Sequence, residues 1–412
     1  MINIAIIGAG ASGLSLAIML KSANKSIDVT VFDRMDRVGK KLLATGNGRC
    51  NLSNKNILQT ADKSGLLVHY FGKNKNFAKH SLECFDTDRL IEWFSSLGMP
   101  TVFEDDKLFP LSLSASTVVD VLRLKCENLG VKFILSTAVT DIAKQNGRFI
   151  INNKSFDKVV VATGGKSQEN LGSNGSGYAL LQKFGHTLTK TIPAITQIKT
   201  KTDFVKQLKG LKINADCKIL VDDKIIRKEY GQLLFADYGL SGPPIFSLSR
   251  IASEYESRCN ISLDLLPDYS FNQVVEMIEN IKKNPFCSNL TLENLLTPIF
   301  IKRIGQVIVK YAGFKLNTAV SEISSNDIKK IAGAIKSFTL EVTGVNGYNV
   351  AQVTAGGIDT KDFDDKSMQS KLQKNLYATG EVLDVDGDCG GYNLHFAFAS
   401  ANTAFMHIVK DL

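Results

Sequence analysis

Three glycines near the start of the chain have the spacing that a phosphate-binding turn needs. Gly8, Gly10 and Gly13 form G-x-G-x-x-G between an apolar run and a segment of helical composition. The first glycine permits a tight turn, the second lets the backbone approach a pyrophosphate, and the third allows close helix–strand packing. A carboxylate about 20 residues later, here Asp33, accepts hydrogen bonds from a ribose and repels a 2′-phosphate. The pattern predicts a bound dinucleotide, FAD or NAD rather than NADP. The expected contacts are Gly8, Gly10, Ala11, Ser12, Gly13, Asp33 and Arg34.

Two later strand ends favour FAD over NAD. The run Leu376–Thr379 ends in Gly380 and Glu381, which resembles the second FAD fingerprint of flavoproteins with two dinucleotide-binding domains. In those proteins an acid, usually Asp, holds the ribityl chain. The run Val159–Gly165 ends in Ala-Thr-Gly-Gly and resembles the intervening A-T-G motif of the same superfamily. The resemblance implies further cofactor contacts from Ala162, Thr163, Gly164, Gly165, Gly380 and Glu381.

Three longer motifs resemble those of one protein family, and together they span the chain. They read GKKLLATGNGRCN at 39–51, LFADYGLSGPPIFSLS at 234–249 and GEVLDVDGDCGGYNLHFAF at 380–398. They are similar to segments of the BaiN-type family of bacterial NAD(P)/FAD-dependent oxidoreductases. The resemblance implies an α/β fold, in which a Rossmann-like FAD-binding domain is split in the sequence by an inserted domain, part β-barrel-like and part helical.

Independently of that resemblance, the residue types in these motifs suit two roles in binding a flavin cofactor. A loop of glycines, amides and basic groups can neutralise phosphate or flavin charge. The first-turn amides of a final helix can donate to the N1/C2=O edge of the flavin, where the helix dipole stabilises the anion formed on reduction. The residues expected in these roles are Lys40, Lys41, Gly46, Gly48, Arg49, Cys50, Asn51, Gly391, Asn393 and Leu394.

Three residues are candidates for a part in the chemistry, and each also fits a structural role. Cys50 directly follows the basic loop, but a cysteine in such a place is more often a packing residue. His395, in the final helix, fits a hydrogen-bonding role better than essential proton transfer. Tyr238 lies in the YGLSGP loop, which either shapes a substrate pocket beside the flavin or positions the two domains. The remaining histidines are too scattered to predict a metal site.

The elements that must position these residues alternate between strand and helix at both ends of the chain. The apolar runs Ile2–Ile7 and Ile27–Phe32 predict buried parallel strands, and Leu14–Lys21 predicts the helix between them. Short β-like runs begin at Ile192 and helical patterns follow from Phe271. We therefore expect FAD-binding segments at 1–190 and 346–412, and a substrate-side insertion at 191–345 that is β-rich over 191–265 and helical over 266–340. Further predicted elements are a strand at Phe156–Ala162, a helix at Ile299–Tyr311 and a helix from about Asn393.

The composition is that of an ordinary globular protein. The 412 residues are 44% hydrophobic and 22% charged, which excludes a disordered chain and a collagen-like fibre. Seven cysteines form no C-x-x-C pair. An odd, unpaired set argues against a disulfide framework, a zinc ribbon and a dithiol redox pair, and predicts a cytoplasmic location. Because no apolar run approaches the ~20 residues of a membrane span, we expect no membrane association.

The leading hypothesis is an FAD-dependent oxidoreductase that moves hydride between flavin N5 and a small organic substrate. NAD(P)H is the candidate donor if the reaction is an enone-type reduction. Three alternatives stay open: an amine or hydroxy-acid oxidase that uses O₂, a flavin-dependent RNA-modifying enzyme, and a flavin-binding regulator without turnover. The net charge of +8 and the lysine pairs of the insertion favour RNA, but no RNA-binding motif accompanies them. The sequence leaves the substrate, the direction and the oligomeric state open.

Overall fold

The structure, a computed structural model, describes residues 2–61, 65–285 and 290–411. The chain divides into two units, the first formed by Met1–Pro193 with Tyr348–Leu412 and the second by Ala194–Gly347. Both ends of the sequence therefore build one unit, and the middle builds the other. The predicted α/β class, with a split Rossmann-like domain and a barrel-containing insertion, is confirmed.

The first part of the first unit alternates strands and helices. Its strands are β1 Ile2–Ile7, β2 Ile27–Phe32, β3 Ser53–Asn54, β4 Tyr70–Phe71, β5 Thr101–Glu104, β6 Lys107–Pro110, β7 Lys132–Ile134, β8 Ala143–Gln145, β9 Arg148–Ile151, β10 Lys154–Phe156, β11 Lys158–Val161 and β12 Ile192–Ala194. Its helices are α1 Ala11–Ala23, α2 Lys40–Leu43, α3 Lys79–Cys84, α4 Thr87–Ser96, α5 Ala115–Asn128 and α6 Ser176–Gln182.

The second unit is a barrel with helices packed on it. Its strands are β13 Ile198–Thr200, β14 Lys212–Val221, β15 Lys224–Ala236, β16 Gly239–Ser241, β17 Cys259–Asp264 and β18 Phe338–Val345. They close in the order β13-β16-β15-β14-β17-β18. Its helices are α7 Pro243–Tyr255, α8 Phe271–Lys283, α9 Leu292–Leu295, α10 Lys302–Tyr311 and α11 Ser325–Lys336. Capping boxes at Ser270 and Ser324 begin α8 and α11, because each serine satisfies an amide that the first turn leaves unbonded.

The last part of the chain returns to the first unit and completes its parallel sheet. It contains β19 Val353–Ala355, β20 Leu376–Ala378, β21 Asp386–Gly387 and α12 Tyr392–Lys410. The five-stranded sheet has the order β20-β11-β1-β2-β7, with β20 paired to β11. The central strand β1 is buried from Ile4 to Ile7, as expected for a parallel strand covered on both faces.

Helix α12 packs on α1, which begins directly after the glycine turn. The side chain of Ser12 in α1 donates to Thr379 Oγ1 at 2.7 Å, and the amide of Gly380 donates to Ser400 Oγ in α12 at 3.0 Å. The two predicted fingerprints, far apart in the sequence, are therefore joined through α1 and α12. Within the described residues, none of the helices combines the length and apolar character that a membrane span requires.

Two predicted elements differ from the observed ones. The predicted strand Phe156–Ala162 is two strands, because Asp157 between them turns its Oδ2 to the Asn3 amide at 2.8 Å. The predicted helix Ile299–Tyr311 begins only at Lys302, because Ile301 has an extended ψ of 130°. Both errors arise at polar or extended residues inside a hydrophobic pattern.

Candidate functional site

In the glycine turn after β1, other backbone atoms lie close to two of the glycines, whereas the space beside the third is open. Gly8 has φ +111°, and a Cβ atom there would lie 2.3 Å from the carbonyl oxygen of Ala162. A Cβ atom at Gly13 would lie 1.9 Å from the Gly8 carbonyl oxygen. A Cβ atom at Gly10 would meet no atom within 4 Å. The fold therefore requires Gly8 and Gly13, whereas Gly10 borders an open cradle.

The N-terminus of α1 presents amide donors at this cradle. Gly10 is the N-cap, and no side chain caps the helix. The first-turn amides of a helix have no intrahelical acceptor, and together with the helix dipole they favour a bound anion. Ala11 and Ser12, both predicted contacts, contribute two of these amides. The arrangement fits a pyrophosphate.

Asp33 lies at the end of β2, beside the same turn. Its Oδ2 accepts from the Ala9 amide at 2.7 Å and its Oδ1 from the Met35 amide at 2.8 Å. Burial raises the pKa of the carboxyl group, while the two amide hydrogen bonds act in the opposite direction. Each carboxylate oxygen can accept a second donor. Asp33 is therefore fixed in position with capacity left for a ribose hydroxyl, whereas the neighbouring Arg34 is exposed.

Two basic residues of the 39–51 motif are paired with acids. Lys40 Nζ lies 3.0 Å from Asp36 Oδ1, and Arg49 forms an ion pair with Glu104. The Arg49 guanidinium also lies 4.4 Å from the centre of the Phe109 ring. Both cations are thus partly balanced by the protein, and a cofactor contact from either stays a prediction.

Glu381 joins the two ends of the first unit. Its Oε2 lies 2.9 Å from Lys41 Nζ, and its Oε1 accepts from the Thr354 amide at 2.9 Å. A Cβ atom at Gly165 would lie 2.7 Å from Glu381 Oε1, so the A-T-G-G turn touches the same carboxylate. The acid predicted to hold a ribityl chain therefore already has an ion pair and an amide bond as partners.

Cys50 is packed inside the turn that follows α2. Its side chain is fully buried, and burial raises the pKa of the thiol to about 12. The thiol is therefore protonated at neutral pH, which removes the thiolate that a nucleophilic role needs. In this turn a Cβ atom at Gly46 would lie 2.9 Å from the Asn51 amide, whereas one at Gly48 would meet nothing within 4 Å. Of the seven cysteines, Cys287 lies outside the described residues.

Two of the buried polar atoms without a hydrogen-bond partner among the described residues belong to predicted site residues. They are the side-chain oxygens Oδ1 of Asn51 and Oγ1 of Thr163. Burying a polar group without a partner costs about 1–3 kcal/mol, so such atoms usually meet a ligand or water. Both residues were predicted cofactor contacts. A Cβ atom at Gly391 would lie 2.7 Å from Asn51 Oδ1, which puts this oxygen at the start of α12.

The start of α12 is shaped by a glycine and an asparagine. Gly391 has φ +102°, and a Cβ atom there would lie 2.4 Å from the Ser53 carbonyl oxygen. The Asn393 side chain accepts from the Gly387 amide and donates to the Gly387 carbonyl, each at 2.8 Å. Asn393 therefore holds the preceding loop, while its backbone amide and that of Leu394 lie in the uncapped first turn.

His395 is buried within the first unit and fully hydrogen-bonded. Its Nε2 lies 2.8 Å from the Phe85 carbonyl oxygen, and its Nδ1 lies 2.8 Å from Ser53 Oγ. A carbonyl oxygen only accepts, so Nε2 carries the hydrogen and Nδ1 accepts from the Ser53 hydroxyl. Burial lowers the pKa of the ring to about 4. A neutral ring with both nitrogens engaged holds β3 and the end of α3 against α12.

Tyr238 belongs to the second unit, in the turn between β15 and β16. Its carbonyl oxygen accepts from the Thr200 amide at 3.1 Å, and partial burial raises the pKa of its phenol. These contacts describe a barrel turn. A role for Tyr238 beside a cofactor stays a prediction.

One pair of titratable residues was missed by the sequence reasoning. His69 Nδ1 lies 2.9 Å from Asp388 Oδ2, and these residues stand 319 positions apart in the chain. The acid-rich segment Asp384–Asp388 was a signal in the sequence, but nothing in the sequence pointed to His69 as its partner. In the part of the chain that the structure describes, no group of three or more His, Cys, Asp or Glu residues is arranged to hold a metal ion.

Known proteins with a similar sequence decide the family. The family described as "HI0933-like protein Rossmann domain" matches residues 2–407. The chain belongs to this family. A Clostridium scindens relative, named 3-dehydro-bile acid delta(4,6)-reductase, is 33% identical over 410 residues and 98% of each chain. A Haemophilus influenzae relative, named ribosomal RNA dihydrouridine synthase, is 30% identical over 418 residues and 98% of each chain.

One solved structure has a similar fold at low sequence identity. The 3-ketosteroid delta1-dehydrogenase of Sterolibacterium denitrificans has a TM-score of 0.50 and 12% identity, with 100% of both chains covered. This likeness concerns the fold alone. The full-length relatives confirm the BaiN-type resemblance and the prediction of an enzyme of the flavoprotein oxidoreductase class. The two relatives carry different substrates in their names, a bile acid and a ribosomal RNA.

Proposed function

We propose that the first unit binds FAD and that the protein reduces a C=C bond conjugated to a carbonyl, with NAD(P)H as the electron donor. The observation that carries the binding proposal is the open cradle at Gly10, between the uncapped start of α1 and the fixed carboxylate of Asp33. The unpartnered oxygens of Asn51 and Thr163 fit a ligand with donor groups. When bound, FAD supplies a ring whose N5 atom exchanges hydride with a substrate.

The reaction class is supported by what the named reactions of the two relatives share. The first name describes reduction in a 3-oxo compound with a 4,6-diene, and the second describes reduction of uridine to dihydrouridine. Both substrates carry a C=C bond conjugated to a carbonyl. The chain contributes binding and charge stabilisation. The first-turn amides of α12 and its dipole favour negative charge at the ligand edge that they face.

Replacing Asp33 with Ala is expected to weaken FAD binding by about 1.5–3 kcal/mol, the range for a hydrogen bond to a charged group. The loss corresponds to roughly 10- to 150-fold in Kd. Fluorescence titration of the apoprotein with FAD measures it. Asp36→Ala is the matched control, because Asp36 is exposed and pairs only with Lys40. Equal affinity of the Asp33 variant and the wild type would contradict the ribose role.

Anaerobic mixing tests the reaction. We expect NADH or NADPH to bleach the flavin, and a conjugated carbonyl compound to restore its colour. The first probe is 1,4-androstadiene-3,17-dione, a steroid dienone, and the second is ribosomal RNA free of protein. Bleaching by amines or hydroxy acids, with reoxidation by O₂, would favour an oxidase. A flavin that no reductant bleaches would favour a binding protein without turnover.

A second candidate, reduction of uracil in ribosomal RNA, is favoured by one surface of the second unit. Ile226, Lys228 and Tyr230 alternate along β15 and so share a face, on which Tyr230 is 60% exposed. Lys218 stands opposite Lys228 across the β14–β15 pair. Exposed aromatic rings and lysines are the groups that stack on bases and contact phosphates in single-stranded RNA.

This surface separates the two substrates by experiment. If RNA is the substrate, the double variant Lys228→Ala/Tyr230→Ala is expected to lose roughly 10-fold or more in the rate of reoxidation by ribosomal RNA, given about 1–3 kcal/mol per stacked base. Its reoxidation by the steroid dienone should be unchanged. Lys224→Ala at the hairpin start controls for charge alone. Equal RNA rates for the wild type and the double variant would count against this surface.

A further inference from the structure

We infer that His69, held by Asp388, is the proton donor of the first unit. The inference rests on the proposed function, because it names the group that completes reduction of a conjugated C=C bond. Such a reduction delivers hydride to one carbon and leaves negative charge on the carbonyl side, so the second carbon needs a proton. Neither Cys50 nor His395 can serve, because both side chains are fully buried. Burial also raises the pKa of the Cys50 thiol to about 12 and lowers that of the His395 ring to about 4, so the thiol holds its proton and the ring is neutral.

Backbone pairing brings the two residues together. Strand β21 pairs with β4 in the register Asp386↔Phe71 and Gly387↔Tyr70. The pairing continues by one bond, since the Asp388 amide donates to the His69 carbonyl oxygen at 3.0 Å. The side chains of this next pair then meet at 2.9 Å between Nδ1 and Oδ2. The strand ladder therefore places the two residues directly opposite each other.

The surroundings of the ring are those of a proton-loaded acid. Nε2 lies 2.9 Å from Gln59 Oε1, so both atoms that face the ring nitrogens are acceptors. With both acceptors in place, the arrangement suits a ring that carries hydrogen on both nitrogens. The imidazole also stacks on the Tyr392 ring, with centroids 4.5 Å apart. His69 is 20% exposed and Asp388 only 7%, so the carboxylate is shielded while the ring is reachable.

The pair also stands beside the start of α12. Asp388 is in the loop that ends at Gly391, the N-cap of that helix. On the other side of this loop, Asn54 Nδ2 donates to the Gly390 carbonyl at 3.0 Å, three residues from the unpartnered Asn51 oxygen. The loop therefore contacts both the histidine and the segment that contains Asn51.

NAD(P)H supplies two electrons and a proton as hydride, which reaches the β-carbon of the conjugated carbonyl substrate. The His69 Nε2–H bond breaks as a C–H bond forms at the α-carbon, and the ring becomes neutral with Nδ1–H still donated to Asp388. Water then returns a proton to Nε2. A positioned acid of this kind typically contributes 10²–10⁴-fold to a rate.

Half-reactions of the purified flavoprotein test the assignment. In His69→Gln and Asp388→Asn, we expect bleaching by NADH or NADPH at the wild-type rate. Reoxidation by 1,4-androstadiene-3,17-dione, or by ribosomal RNA if that is the active probe, should slow by about 10²-fold or more for His69→Gln. His80→Gln is the matched control, because His80 is in the same unit and its ring lies within hydrogen-bonding distance of Cys84 Sγ.

A second readout does not depend on turnover. Long-range ¹⁵N–¹H spectra of the wild type at neutral pH should show hydrogen on both His69 nitrogens, with a downfield Nδ1 proton that disappears in Asp388→Asn. A His69 ring with one hydrogen, or reoxidation of His69→Gln at the wild-type rate after normal bleaching, would overturn the proton donor while leaving the proposed function. A flavin that neither nicotinamide bleaches would overturn the proposed function, and the proton donor with it.

Discussion

Gly10→Val is expected to give a folded protein that is purified without colour. At this position a Cβ atom meets no protein atom within 4 Å, so the new side chain causes no clash in the apoprotein. It instead fills the cradle at the start of α1, where a pyrophosphate would lie against the amides. We expect FAD affinity to fall by at least about 100-fold, or roughly 3 kcal/mol. Flavin absorbance of the purified protein and titration with FAD measure it.

The neighbouring glycine provides the contrast. Gly13→Ala places a Cβ atom 1.9 Å from the Gly8 carbonyl oxygen, so it must distort the turn itself. We expect that variant to unfold at a lower temperature with or without FAD, whereas Gly10→Val melts close to the wild-type apoprotein. A yellow Gly10→Val protein with full flavin content would contradict the proposal that the pyrophosphate lies in the open space at Gly10.

The second large effect concerns acid stability and His395. Burial lowers the pKa of this ring from 6.5 to about 4 in the folded protein. The unfolded chain therefore takes up a proton near pH 6.5, while the folded chain takes it up only near pH 4. Stability from the neutral ring is complete above pH 6.5 and is lost as the pH falls toward 4. Because the two states bind protons at different pH, the free energy of unfolding is expected to fall by about 2–3 kcal/mol between pH 7.5 and pH 4.5.

His395→Gln isolates this contribution, since Gln does not titrate and keeps a donor and an acceptor. Urea unfolding measures the free energy of unfolding at pH 7.5 and at pH 4.5. Its decrease between the two pH values should be about 2–3 kcal/mol smaller in the variant than in the wild type. Other acids titrate in both proteins and cancel in the comparison. His407→Gln, near the end of α12, serves as the control variant. An equal decrease in the free energy of unfolding for the wild type and His395→Gln would show that the buried ring is not held neutral.

Local patterns in the sequence were sufficient for much of the fold. The apolar runs at Ile2–Ile7 and Ile27–Phe32 are strands with the predicted bounds, since a strand buried on both faces needs a continuous apolar run. The glycine turn at Gly8 also has the predicted place, because its left-handed backbone is a local requirement. The prediction was wrong where a single polar residue interrupts a strand, as Asp157 does between β10 and β11.

The partners within the site could not be found in the same way. Glu381 pairs with Lys41 across 340 positions, and Asp388 with His69 across 319. Periodicity and spacing describe neighbours in the chain, whereas these contacts depend on how β21 and α12 meet the first part of the unit. The tautomer and burial of His395 depend on Ser53 and Phe85 for the same reason.

The place of β20 at the edge of the sheet constrains the order of events during synthesis. Strand β11 and helix α1 emerge from the ribosome early, but β20 and α12, which cover them, emerge only after the whole second unit. The barrel has all its strands in one continuous stretch and can fold as soon as it is made. The first unit must keep an open sheet edge and an uncovered helix until β20 and α12 have emerged, and during that interval it is exposed to aggregation and to chaperones.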